Sequence, residues 1–162
     1  MNKVLFLLSE IFLKEKIAYA HCDIPCGIYD PHNAQLAAHT VIRMTQLLID
    51  LKREDEIKAE HDIARITHVK EEHSSLIEEE LETLRNDYFK IEHFEKFSNL
   101  KDLFEKALKY SAISRQTIDI RAAEETLENV LKIAEIFYKT KNVTPIRVKS
   151  VYPTEGETVF YK

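Results

Sequence analysis

From Pro31 onward, apolar side chains return every three or four residues. Ala37, Val41, Met44, Leu48 and Leu51 fall on one stripe, the spacing of a helix that buries one face. Pro31 suits a first helical turn and Asp30 stands before it as an N-cap. The pattern therefore predicts a helix from residue 31 to about 52, with KREDE as its solvated end. A second stripe, Ile63, Ile66, His73, Ile77 and Leu84, predicts a helix from about Ile57 to Asn86. The period then breaks in NDYFKIEHFEKF, which gathers aromatic residues and reads as a packed connection. Leu100, Leu103, Phe104, Ala107 and Leu108 predict a third helix from about Asn99 to Arg115. Ala123, Leu127, Val130, Ala134 and Phe137 predict a fourth from about Ile120 to Thr140. Four amphipathic helices with short connections predict an all-α, antiparallel four-helix bundle. Residues 143–162, VTPIRVKSVYPTEGETVFYK, carry β-branched residues, two prolines and a glycine. They read as a short extended C-terminal arm or a small hairpin around TEGE.

Composition supports this picture. The chain has 162 residues with only two glycines and four prolines, which suits one helix-rich domain able to bury its own core. The formal net charge is −5, and no basic patch with interleaved aromatics is present, so nucleic acid is not the expected partner. No apolar run is long enough for a membrane span. The first twenty residues change the reading. MNKVLFLLSEIFLKEKIAYA has a short apolar run and then Ala18-Tyr19-Ala20, which fits the small-x-small rule for cleavage. Glu10 and Lys14-Glu15-Lys16 interrupt that pattern. Residues 1–20 read as a removable leader, with an amphipathic N-terminal helix as the alternative. A local pro-segment implies a cytoplasmic protein, and an export signal implies a periplasmic or secreted one.

The chemistry concentrates in AHCDIPCGIYDP, residues 20–31, which holds both cysteines of the chain. A zinc site normally needs four ligands at recognisable spacing, and neither a second Cys pair nor a His pair follows. Haem attachment would need C-x-x-C-H, and a di-iron bundle would need Glu-x-x-His on its helices. A disulfide across the tight loop stays open. Cleavage after Ala20 would make His21 the first residue. Its α-amine and imidazole, the amide of Cys22 and the thiolates of Cys22 and Cys26 would then lie within six residues. Four nitrogen and sulfur donors in a plane suit Ni(II) or Cu(II). Pro25 and Gly27 favour a hooked backbone.

The run His21-Cys22-Asp23-Ile24-Pro25-Cys26-Gly27-Ile28-Tyr29-Asp30-Pro31 resembles the metal hook of nickel-containing superoxide dismutases. Asp87-Tyr88-Phe89-Lys90, followed by His93-Phe94-Glu95-Lys96, resembles a second block of that family, and the likeness runs from His21 to about Lys141. The resemblance implies a four-helix bundle and a homohexamer. It implies one nickel ion per subunit alternating between Ni(II) and Ni(III), with superoxide as the substrate. It also implies a protease that removes the leader just before His21. His21 would supply amine and imidazole, Cys22 its amide and thiolate, and Cys26 its thiolate. Tyr29 would stand over the open face, Tyr88 and Lys90 would lie near the entrance, and Lys90 would attract the anion. Asp23 and the Ile24-Pro25 bond would shape the hook. Two positions depart from the family pattern. The Glu and Arg that orient the imidazole there align with Ala37 and His73 here, which makes His73 a candidate for the missing support. The expected organisation is residues 1–20 as leader, 21–142 as the nickel superoxide dismutase bundle and 143–162 as an extension. The competing reading is a non-catalytic bundle whose hook holds copper, zinc or a Cys22–Cys26 disulfide.

The other histidines read as ordinary. His73 lies on the apolar stripe and reads as a satisfied core histidine. His39, His61 and His68 fall off the inward faces and read as solvated. His93 reads as a structural hydrogen-bonding group, and EEELE, residues 78–82, as a solvated face broken by one leucine.

Overall fold

The computed structural model describes residues 26–162. The leader and the hook residues His21, Cys22, Asp23, Ile24 and Pro25 lie outside the described residues. Four long helices form the body: α1 (His32–Ile49), α2 (Glu56–Thr83), α4 (Leu100–Gln116) and α5 (Ile120–Thr140). A short helix α3 (Ile91–Lys96) joins α2 to α4, and the strands β1 (Pro145–Lys149) and β2 (Glu157–Tyr161) follow α5.

Local chemistry sets the helix starts. Asp55 caps α2 by accepting the Lys58 N–H, and Asp119 caps α5 by accepting the N–H groups of Arg121 and Ala122 at 2.9 and 3.2 Å. The α1 start differs slightly from expectation. Pro31 takes the N-cap place, and Asp30 accepts the His32 N–H from one residue further out at 2.8 Å. The stretch read as a connection also differs. It contains a π-helical turn (Leu84–Tyr88) and α3, because aromatic packing stabilises both. Phe89 and Phe104 lie 5.7 Å apart edge-to-face, and Phe94 closes the cluster.

Long-range contacts show the antiparallel order. Asn33 meets Glu80, while Met44 shares a groove with Ile66, so α1 and α2 run in opposite senses. Ser111 donates to the Ser74 carbonyl, and Lys70 donates to the Ser114 and Thr117 carbonyls, so α2 and α4 do likewise. The core is fully buried at Ala34, Ala38, Ile77, Leu81, Leu100, Phe104, Ala107, Ala123, Ile133 and Ala134. The α2 stripe is only partly core: Ile77 and Leu84 are buried, whereas Ile63, Ile66 and His73 are half-buried. For Ile63 and Ile66 the reason is length. At 28 residues α2 spans roughly 42 Å, and α4 ends level with Lys70. The turns of α2 before Lys70 have no α4 beside them.

The C-terminal arm is a hairpin folded back on the bundle. Its register runs from Pro145↔Tyr161 to Lys149↔Glu157, and Glu155 takes a left-handed φ of 54° in the connecting turn. Val159 is fully buried among the helices. Gln35 on α1 pairs with both backbone groups of Val159, donating to its carbonyl at 3.2 Å and accepting its N–H at 2.7 Å. Arg147 joins Glu128 and Glu135 on α5. The hairpin also corrects the reading of His39, which is 4% exposed and not solvated. Its ring bonds Thr154 Oγ1 at 2.7 Å and the Glu157 carbonyl at 3.0 Å. The side chain does leave the helical stripe, but the hairpin covers it. His61 and His68 are exposed, as expected.

Candidate metal centre

The described part of the hook begins at Cys26, which is exposed. Gly27 follows at a φ of +71°, a backbone state that side chains with a Cβ rarely adopt. This turn folds the Ile28 N–H back onto Cys26 Sγ at 3.4 Å. An N–H aimed at sulfur stabilises a thiolate, the form that ligates metal. Asp30 then ties the exit of the hook to two helices. It accepts the His32 N–H and a hydrogen bond from the Tyr138 phenol, whose titration burial and the Asp30 charge push up to about 12.

Tyr29 is half-buried and packs against Tyr88, with ring centroids 5.5 Å apart. The π-helical turn places Tyr88 there, since its extra residue rotates the chain before Phe89 leaves as extended backbone. Tyr88 sits among Phe89, His93 and Phe137 at 5.0, 5.9 and 4.6 Å. Its hydroxyl lies 2.5 Å from Thr140 Oγ1, which donates its own proton to the Phe137 carbonyl. The phenolic proton therefore points to Thr140. Lys90 is exposed, and its ammonium donates to the Asp87 carbonyl at 2.7 Å. His93 accepts the Lys90 N–H at 3.0 Å, the structural role expected of it.

A small cavity of about 180 Å³ lies under the hook exit, lined by Ile28, Tyr29, Asp30, Asn33 and Glu80 among others. Asn33 also borders a larger groove of about 520 Å³ between α1, α2 and the hairpin. Ala37 and His73 both line that groove. His73 donates Nδ1–H to the Val69 carbonyl at 2.9 Å, which leaves Nε2 as the acceptor nitrogen.

The structure thus brings Cys26, Tyr29 and Tyr88 to one end of the bundle, with Lys90 on the turn that carries Tyr88. Sequence reasoning missed two neighbours: Thr140 and Lys141. Lys141 holds its ammonium 4.6 Å from the Tyr88 ring centroid. No local motif marks these residues, because each partner lies on a distant element. Among the described residues, no group of three or more His, Cys, Asp or Glu could hold a metal ion. Of the donors expected from the sequence, Cys26 alone falls among the described residues, and a sulfur that accepts the Ile28 N–H fits a thiolate ligand.

The model of the nickel-containing superoxide dismutase family matches residues 16–141. The chain belongs to the nickel-containing superoxide dismutase family. Two relatives, each named superoxide dismutase [Ni], come from Streptomyces seoulensis and Streptomyces coelicolor. Each is 32% identical over 135 residues, which cover 83% of this chain and 98% of the relative. The native 1.30 Å structure of nickel superoxide dismutase superposes with a TM-score of 0.67 at 32% identity, over 75% of this chain and 99% of that one. A structure with its nickel ligation in the oxidised state gives 0.68 at the same identity and coverage. The family match stops at Lys141, so the hairpin lies beyond it. No helix among the described residues is long and apolar enough to cross a membrane.

Proposed function

We propose that this nickel superoxide dismutase converts two superoxide anions and two protons into one O2 and one H2O2, with His21, Cys22 and Cys26 holding one nickel ion per subunit. The family match over residues 16–141 carries this reading, because it spans hook and bundle together. When bound, nickel supplies one-electron redox chemistry, and sulfur with deprotonated amide donors favours its higher oxidation state. The rest falls to the chain. Removal of residues 1–20 turns the nitrogen of His21 from a poor amide donor into an amine, so cleavage by a protease activates the hook. Residues 21–142 are then the catalytic domain and 143–162 an extension. The Gly27 turn aims the Ile28 N–H at Cys26 Sγ, a contact that favours the thiolate a metal would need. Tyr29 and Tyr88 form a wall that admits only small anions. The Tyr88 proton is committed to Thr140, so Tyr88 acts there as a barrier and an acceptor. Lys90 adds positive charge at the rim. Assembly as a homohexamer follows the family habit. A non-catalytic, disulfide-stabilised bundle is not favoured by the match.

The test is superoxide loss by protein made to begin at His21 and loaded with nickel, beside the same chain keeping residues 1–20. Rapid, nickel-dependent loss in the cleaved form alone is the expected result. Equal rates in both forms would remove the amine from the donor set.

A further inference from the structure

We propose that Lys141 is the cation that draws superoxide to the Tyr29–Tyr88 wall. The inference rests on the superoxide chemistry proposed above and adds a residue to it. A chain of net charge −5 repels an anion on average, so rapid capture needs positive charge close to the entrance. Lys141 supplies it at the right place. Its ammonium lies 4.6 Å from the Tyr88 ring centroid and 5.5 Å from that of Phe137. Tyr88 in turn packs on Tyr29, three residues from Cys26.

The backbone of Lys141 is held at the end of α5. Its N–H bonds the carbonyls of Phe137 and Tyr138 at 3.3 and 3.0 Å. Thr140, one residue before, is tied to the Tyr88 hydroxyl. Asn142, one residue after, takes a left-handed φ of 60° and turns the chain into the hairpin. Thr144 and Lys162 close the hairpin base by exchanging backbone hydrogen bonds at 3.4 and 3.0 Å. The end of α5, the π-helical turn and the hairpin thus fix the Lys141 backbone beside the Tyr88 ring, on which its ammonium rests. Lys90 differs. Its ammonium is drawn to the main chain of Asp87, a residue that brings a negative charge into the same turn. Lys141 faces the ring of Tyr88 instead.

The experiment has two readouts. The first is the second-order rate of superoxide loss against ionic strength, for nickel-loaded protein beginning at His21. Lys141→Gln should lower the low-salt rate about threefold and flatten its salt dependence. Lys141→Arg should restore both, and Lys139→Gln on the same turn should change neither. The second readout uses the nickel-free full chain. It has no tryptophan, so its emission is tyrosine emission. Quenching by iodide should weaken in Lys141→Gln while quenching by neutral acrylamide stays constant. Wild-type salt dependence and iodide quenching in Lys141→Gln would overturn the proposal, as would a loss confined to Lys90→Gln. If the loaded wild type consumes no superoxide, the dismutase reading fails by itself, and the iodide comparison still decides the role of Lys141.

Discussion

The Cys26–Ile28 turn of the hook and the hairpin, Pro145–Tyr161, are shaped by opposite means. The turn is shaped by the Ile28 N–H on Cys26 Sγ, two residues apart in sequence, and by one left-handed glycine. The hairpin depends on bonds that span most of the described chain, Gln35 to Val159 and His39 to Thr154 and Glu157, and on Tyr138 tilted against Tyr161 at 5.0 Å. One is an exposed segment whose turn is shaped by its own sequence. The other is a piece of the core added after the catalytic helices. The difference teaches that reactivity and stability are kept apart here. A change at the hook should alter chemistry without melting the bundle, and a change at the hairpin should do the reverse.

The sharpest break of that comparison is Cys26→Ser. Nickel content and superoxide consumption should both fall by more than about a thousandfold, as a lost thiolate ligand removes the site, while the melting temperature of the nickel-free protein stays unchanged. A large drop in that temperature would mean that the hook also supports the fold.

Gln35→Ala is the mirror experiment. It strands two buried backbone groups of Val159, which should cost about 2–4 kcal/mol in denaturant unfolding. The rate per bound nickel should stay at the wild-type value. Gly156→Ala tests the same face more gently. An added Cβ would stand 2.8 Å from His39 Cε1, and relieving that clash should cost about 1–3 kcal/mol.

The smallest effect is the dependence of the hairpin on pH. Burial holds the His39 imidazole below its ordinary value of 6.5, outweighing the Glu157 carbonyl, which acts in the other direction. The neutral ring satisfies both partners, donating from Nε2 to Glu157 and accepting from Thr154. Tyr152 packs edge-on against it, and Arg43 and His73 line the same groove. The docked state binds a proton less readily than the undocked one. Docking should thus be at full strength above about pH 6.5 and weaken as pH falls below it. Hydrogen exchange of the β2 amides should quicken over that range in the wild type. The added sensitivity should vanish in His39→Gln.

How far the sequence speaks depends on how local the physics is. The fourth predicted helix matches α5 residue for residue, because its apolar period and the Asp119 cap are both contained in it. The hook motif is local in the same way: the proposed donors His21, Cys22 and Cys26 lie within six residues, and Gly27 marks the turn. Glu78 was read as part of a solvated face, yet it pairs with Arg115 across α4. Lys70 gave no signal at all. It is 2% exposed, and its ammonium satisfies the last carbonyls of α4, with burial pushing its titration down. Its role could not be read from α2 alone, because the carbonyls it meets belong to another helix.

By itself, then, the sequence determined the helices, much of their buried faces and the motif from which the hook's donors are proposed. Each of these arises from side-chain periodicity, caps and spacing within a few turns of chain. Only the tertiary structure decided that the arm is a docked hairpin, that His39 is its buried anchor, and that Lys141 stands over Tyr88 beside Tyr29. Those facts come from groups far apart in the chain, which the packing of apolar faces brings within hydrogen-bond or ring contact.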